Sequence, residues 1–334
     1  MPPSARRAVR PPRARLAPDA RSRGPRPPSR LRSGAGRSRL FGMDAPGQLA
    51  QTRERVRAVF ERLEAYSYLT AMDRVDFAYY RTIYERALCG IEARIGAGSL
   101  VPLDLNGFPY ALRSPSYGLR AALFMGSFDP FQMTHLAMAL RYLSSPRAMA
   151  HAVFVVAEGH DNPAKPRKSD YRYRMELIRM QLAEIFHPFI VPLAIGRGAD
   201  TMEIVRRFMA LFPHSALELT HLLGSDALPF AARLLPEDLK VWRRQARESG
   251  VDFSYTPFVI RRHGGGDPGP QVEALRSFGI EAHIDDEPLE TPSSTDFRER
   301  NAFSIAFPTD EIVRHLEVVF RYNLNKPWAS CYRA

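Results

Sequence analysis

Two short stretches carry side chains suited to handling phosphate. The first is LFMGSFDPFQMTHLAMAL, Leu123 to Leu140. An apolar run with the look of a strand stops at Gly126, turns through Phe128-Asp129-Pro130 and reaches His135 where an amphipathic helix opens. Glycine lets backbone approach an anion with no Cβ in the way, and the free amides of a first helical turn favour anions. An imidazole at that place can donate to phosphate oxygens. The second stretch is TPSSTDFRER, Thr291 to Arg300. Ser293, Ser294 and Thr295 supply hydroxyls and amides at a helix start, and Arg298 lies one turn in with a planar fork of donors. Singly, each has an ordinary reading: a strand-to-helix turn with a satisfied histidine, and a Ser/Thr cap followed by a surface arginine.

The elements around these stretches set where they can sit. Short apolar runs occur at Leu119–Met125, Ala152–Ala157, Phe189–Ile195, Leu217–Leu223, Pro257–Arg261 and Ile280–Ile284. Helical patterns separate them near 135–144, 170–186, 201–212 and 227–234, and a last helix opens at PTDE, where Thr309 can cap. Near-continuous apolar strands alternating with helices predict a parallel sheet covered on both faces, a doubly wound α/β fold. Such folds bind ligands beyond the carboxyl ends of their strands, and both stretches belong there.

Upstream lie two helical patterns, 47–65 with a stripe of Leu49, Val56, Val59, Phe60 and Leu63, and 72–95 through Val75, Tyr79, Ile83, Leu88, Ile91 and Ile95. A Gly/Pro/Ser-rich stretch, 96–118, reads as a linker or covering loop. The expected division is a basic tail over 1–42, a helical extension and linker over 43–118, and a main domain over 119–334. Oligomer contact and a lid are the two roles the extension suggests.

The net charge of +11 is confined to the tail. Residues 1–42 hold 12 arginines and a single acid, Asp19, while the rest of the chain balances 35 bases against 35 acids. The basic pI therefore says nothing about the partner of the main domain, and no nucleic acid is expected. The tail is Pro/Arg/Ser/Gly-rich and too poor in apolar groups to offset ordering entropy, so disorder is expected there. It reads as a polyanion-binding arm, a targeting peptide, or translation upstream of a start at Met43, and the abrupt change of composition favours the last. Two distant cysteines, Cys89 and Cys331, fit reduced thiols in a cytoplasmic protein. No apolar stretch has membrane-spanning length, so no membrane partner is expected. No His/Cys cluster has metal-ligand spacing.

Taken together and in this order, GSFDPFQMTH and SSTDFR resemble the HxGH and ISSTxxR signatures of the nucleotidylyltransferase superfamily, most closely its nicotinate/nicotinamide mononucleotide adenylyltransferases. His135 and Ser293 are 158 residues apart, close to that family's separation. HLLGSDAL, GADTM and YRYRMELI resemble its GxDxL, DTL and RxxM segments, and the resemblance spans roughly residues 119–324. The chain departs at two motif positions: Gln132 replaces the first histidine and Thr134 the glycine. Pro292 also replaces the isoleucine of ISST.

The resemblance implies a Rossmann-like sheet and an enzyme that joins ATP to a pyridine mononucleotide, releasing pyrophosphate in NAD biosynthesis. The mononucleotide phosphate would attack the α-phosphorus directly, so positioning and fixed electrostatics do most of the work. It implies that His135 donates to the α-phosphate, helped by Gln132. Arg298 with Ser293, Ser294 and Thr295 would hold the β- and γ-phosphates. Gly126, Ser127 and Phe128 would bring backbone to the phosphates, Lys165 (or Lys168) would contact one, and Gly224 and Asp226 would hold the adenosine ribose. Arg172, Thr201, Trp242 and Arg262 would line the mononucleotide, with Trp242 stacking on its pyridine ring. Mg²⁺ is expected with ATP, held by phosphate and water, with no protein ligand assigned. A homo-oligomer is one expected assembly. Lone glycine pairs such as GRGADT, Gly196 to Thr201, are common before helices, and RHGGGDPG, Arg262 to Gly269, reads as a flexible turn. Two alternatives stand beside this reading. One is a related transferase using another phosphate acceptor or CTP; the other is a nucleotide-binding sensor that has lost turnover.

Overall fold

A computed structural model of the chain describes residues 45–64, 71–103, 118–161, 168, 170–182, 185–212, 216–263 and 265–289. Two helices come first, α1 (Ala45–Glu64) and α2 (Ala71–Gly96). Then follow β1 (Gly118–Gly126), α3 (Met133–Ser144), β2 (Ala152–Ala157), α4 (Tyr171–Leu182) and β3 (Ile190–Pro192). The second half holds α5 (Thr201–Ala210), β4 (Ala216–Gly224), α6 (Leu228–Glu248), β5 (Asp252–Arg262), α7 (Gly269–Ser277) and β6 (His283–Leu289).

The six strands form one sheet in the order β3-β2-β1-β4-β5-β6, with every pair parallel. Alternation along the strands feeds two cores. Ala122, Phe124, Val153 and Val155 join α3 and α4 on one face, while Ala121, Leu123, Phe154 and Val156 join α5 and α6 on the other. Both faces are therefore dry, which is why these strands read as unbroken apolar runs. The chain winds outward in opposite directions from β1 and β4. Their carboxyl ends form the switch point at which a doubly wound sheet leaves a crevice for ligand.

Helices α1 and α2 make a further layer on the outside of α3. Leu49, Val56, Phe60, Phe77, Tyr84 and Ile91 share one hydrophobic cluster with Leu136, Leu140 and Leu143. The buried stripe of α2 runs through Phe77, Tyr80, Tyr84, Leu88 and Ile91, whereas Val75 faces solvent. The apolar stripe expected from the sequence is thus partly rotated, because the tyrosines turn inward to reach polar partners on α3.

Several elements differ from their sequence pattern. The run 189–195 pairs only over Ile190–Pro192, at the edge of the sheet, with one further backbone bond from Leu193 N–H to Val155 O at 2.9 Å; Pro192 turns its nitrogen to the open edge, where proline is tolerated. The helix expected over 227–234 continues through Pro236 to Glu248, because burying Leu235, Leu239, Trp242 and Ala246 outweighs one lost backbone hydrogen bond. Beyond the Gly-rich turn after β5, α7 buries Val272 and Leu275, and the last strand starts at His283 rather than Ile280.

Candidate functional site

The loop leaving β1 is built around aromatic rings. Phe128 has a left-handed backbone, φ +43°, an uncommon conformation for a bulky residue. Its ring folds back over Gly126, where an added Cβ would sit 3.3 Å from Phe128 Cε1. The open face expected at Gly126 is therefore occupied by an aromatic edge. The Phe128 ring also meets Phe124 at 5.1 Å, Phe131 at 5.3 Å and the imidazole of His135 at 4.9 Å between centroids. Phe131 stacks on the imidazole at 5.5 Å.

His135 is the third residue of α3. Its Nδ1 accepts the backbone N–H of Gln132 at 3.0 Å. A backbone amide can only donate, so the ring proton resides on Nε2. The phenylalanine rings and the bond from Gln132 N–H help to hold the imidazole, with its proton on Nε2, at a helix N-terminus beside the switch point. That arrangement suits an anion.

Gln132 takes a different place from the one expected. It is the extended residue that caps α3, with φ −130° and ψ 171°, and its side chain is fully buried. A capping residue turned into the protein is withdrawn from any ligand in the crevice, so the assisting contact expected of it is not formed in this arrangement.

An arginine that the sequence reading passed over ties the site together. Arg174, in α4, is almost wholly buried; its Nη1 donates to Ser127 O and its Nη2 to Glu158 O at 2.9 Å. Glu158 N in turn donates to Gly126 O at 2.9 Å. One guanidinium thus spans the loops leaving β1 and β2. Burial lowers its pKa, against the opposing charges of Asp129 and Glu158. The arginine carried over from the motif, Arg172, lies on the other side of the helix; its side chain is 75% exposed and 3.8 Å from Asp170. The buried phase of α4, Arg174, Met175, Ile178 and Gln181, is the signal that would have selected Arg174.

At the neighbouring strand ends, Thr201 opens α5 and donates from Oγ1 to Glu158 Oε1 at 2.7 Å. Gly196 permits close packing there, since a Cβ would fall 1.9 Å from Ala157 O, so this glycine serves loop packing. After β4, Gly224 leads to Ser225, whose Oγ accepts Arg262 N–H at 3.0 Å. Arg262 Nη1 meets Asp226 Oδ2 at 2.7 Å, with the arginine side chain 12% and the aspartate 50% exposed. Gly126, Ser127, Phe128, His135, Thr201, Gly224, Asp226 and Arg262 therefore all lie at the carboxyl-end side of the sheet. Lys168 Nζ donates to His160 O, in the loop after β2.

Trp242 does not belong with them. It is fully buried in the α6 face of the core, donates from Nε1 to Met202 O at 3.0 Å and packs on Tyr255 at 5.0 Å. With both faces and the polar edge satisfied, it has no surface to stack on a ligand, and the ring-stacking role expected of it is withdrawn. Lys165, Ser293, Ser294, Thr295, Arg298 and the helix expected after Pro308 lie outside the described residues. Among the described residues, no group of three or more His, Cys, Asp or Glu could hold a metal ion, and no helix is long and apolar enough to cross a membrane.

The fold and these strand-end loops define a doubly wound α/β protein with a crevice at the switch point of its sheet. No protein-family model matches the sequence, and no curated protein matches it. Solved structures similar to this chain include a Plasmodium falciparum nicotinic acid mononucleotide adenylyltransferase complexed with NaAD. It shares 14% identity at a TM-score of 0.40, over 61% of this chain and 99% of that one. The same kind of Plasmodium enzyme complexed with APC aligns at 14% identity and TM-score 0.33, over 54% and 83% of the two chains. A bifunctional NMN adenylyltransferase/ADP ribose pyrophosphatase from Francisella tularensis aligns at 13% identity and TM-score 0.32, over 60% and 50%. Likeness at this level assigns no reaction to the present chain.

Proposed function

We propose that this chain is a nucleotidylyltransferase of the pyridine mononucleotide adenylyltransferase family, catalysing adenylyl transfer from ATP to a pyridine mononucleotide. An oxygen of the mononucleotide phosphate forms a bond to the α-phosphorus of ATP. The bond from that phosphorus to the β-bridging oxygen breaks, and pyrophosphate leaves. The reading rests on the ordered motif pair in the sequence, and one observation supports it above the others. His135 stands at the first turn of the helix after β1, with Nδ1 occupied by Gln132 N–H and its proton on Nε2. A fixed neutral donor there strengthens its hold on an α-phosphate as negative charge shifts during transfer, with no reorganisation at that moment.

Arg174 shapes the loop that carries Ser127 and leaves a positive charge beneath it. Arg262 and Asp226 form the opposite rim, where the half-exposed carboxylate can accept from ribose hydroxyls. Of the carboxylates at the strand ends, Glu158 accepts from Thr201, Asp226 pairs with Arg262, and Asp129 lies on the loop after β1 near Arg174. Among the described residues no group of three or more His, Cys, Asp or Glu could hold a metal ion, so Mg²⁺ would be held by phosphate oxygens and water, where it would offset triphosphate charge.

Gln132 favours a second reading. A buried glutamine in place of a phosphate-facing donor leaves the loop with less charge to offer, as in a nucleotide-binding sensor without turnover. One experiment separates the readings: pyrophosphate release measured with ATP or CTP against nicotinate mononucleotide, nicotinamide mononucleotide, and sugar and lipid phosphates. Release with ATP and either mononucleotide supports the proposal. Tight ATP binding with no release from any acceptor supports the sensor, and release only with another acceptor or with CTP replaces the substrate assignment.

A further inference from the structure

Two hydroxyls reach the first turn of α3 from outside the catalytic fold. Tyr84 donates to Met133 O at 2.9 Å, and Tyr80 OH lies 2.7 Å from Thr134 Oγ1. Met133 and Thr134 are the two residues immediately before His135. All the groups involved are buried, and Phe60 of α1 closes edge-on against Tyr84 at 5.6 Å. Burial pushes both phenols well above their ordinary pKa, so they remain neutral hydrogen-bonding groups. At the other end of α3, Arg94 donates to Leu143 O at 2.6 Å and Ala148 O at 2.7 Å. Gly90 lets α2 come close there, since a Cβ would sit 2.8 Å from Ser144 Cβ. Helix α2 is therefore fastened along the whole of α3. A helix pair that shares its core with α3 is a prop, not a swinging lid.

Two oddities of the sequence explain each other in this arrangement. Thr134 stands where the resembling motif has glycine, and the helices of residues 45–96 precede the sheet. A glycine at 134 would give Tyr80 no hydroxyl to meet, and any residue there without a hydroxyl would take this partner from the buried Tyr80 phenol. We propose that α2 sets the position of His135 through the Tyr80–Thr134 and Tyr84–Met133 hydrogen bonds, making Tyr80 and Tyr84 positioning residues for the transfer step. The inference rests on the reading of His135 as the donor to the α-phosphate. Neither tyrosine touches substrate; each acts through the rotation and height of one helical turn, and small misplacements of a donor are costly in rate.

The test combines kinetics with ¹⁵N NMR of the His135 ring, in the full chain. Tyr80→Phe and Thr134→Val should each lower kcat by about 3- to 10-fold, the scale of one buried hydrogen bond, with KM changed by less than about twofold. Thr134→Ser keeps a hydroxyl and should keep kcat. The Tyr80→Phe/Thr134→Val double variant should be no worse than either single one, because both remove the same bond. Tyr80→Phe should change kcat no further in a His135→Ala background. The ring spectrum of the unsubstituted protein should show one Nε2–H tautomer, which broadens or mixes in Tyr80→Phe and Tyr84→Phe. Unchanged kcat and an unchanged ring spectrum would overturn the proposal, as would a loss of rate that persists in His135→Ala. Absence of pyrophosphate release from the unsubstituted protein would count against the enzyme reading alone, and the ring spectrum then decides the positioning role by itself.

Discussion

His221 offers a test of the core that leads into the site. It lies in β4, three residues before Gly224, and is buried; its Nδ1 is 2.6 Å from Tyr255 OH. Desolvation lowers its pKa from 6.5 to about 4. The sign follows from the neutral ring being the form the fold prefers. The contribution is complete above about pH 6.5 and is lost as the solution falls through 6.5 towards 4, where the unfolded chain binds a proton that the folded chain resists. A shift of this size corresponds to about 3 kcal/mol in total, of which about 2 kcal/mol is gone by pH 5. The experiment is urea unfolding of the protein and of His221→Gln between pH 7.5 and 4.5. The glutamine variant starts less stable at pH 7.5, because the Tyr255 bond is altered, but its stability should fall less steeply with acid. The difference between the two curves should narrow by about 2 kcal/mol at pH 5. Parallel curves over that range would refute the reasoning, since another group would then be taking up the proton.

Three further outcomes follow from the geometry. Arg174→Met removes both donors from Ser127 O and Glu158 O, and should cost about 3–5 kcal/mol together with most of the turnover, checked by thermal denaturation and pyrophosphate release. Arg172→Ala, by contrast, removes a solvent-exposed side chain and should leave KM for the mononucleotide and the stability within about 0.5 kcal/mol. Trp242→Phe should lower stability by about 1–3 kcal/mol through the lost Nε1 bond and the space left behind, with KM for the mononucleotide unchanged; a raised KM with unchanged stability would restore the stacking role.

The parts of the fold that could be read from the sequence are those where local pattern and final packing agree. The run ending at Gly126 and the helix opening near His135 were visible because apolar β1 is buried on both faces and α3 buries one stripe. The length of α6 was hidden, because Pro236 looks like a stop and only the core contacts of Leu239 and Trp242 carry the helix onward. Trp242 was assigned to the wrong side because an isolated tryptophan does not reveal which face of a helix it occupies. Arg172 and Arg174 are two residues apart, so a motif picks one and burial picks the other. The cap at Gln132 is local to α3, but the reach of Tyr80 to Thr134 joins separate elements 54 residues apart. No spacing within either segment encodes that contact.

The measurement that bears most directly on the central claim is turnover of His135→Ala with ATP and each pyridine mononucleotide. Pyrophosphate and dinucleotide would be quantified together, with circular dichroism to confirm the fold. Loss of one fixed electrostatic donor corresponds to about 3–4 kcal/mol, so kcat should drop by about 100- to 1,000-fold while the spectrum stays the same. Turnover within a few-fold of the unsubstituted chain would contradict the account, because the imidazole at the head of α3 would then take no part in moving the adenylyl group.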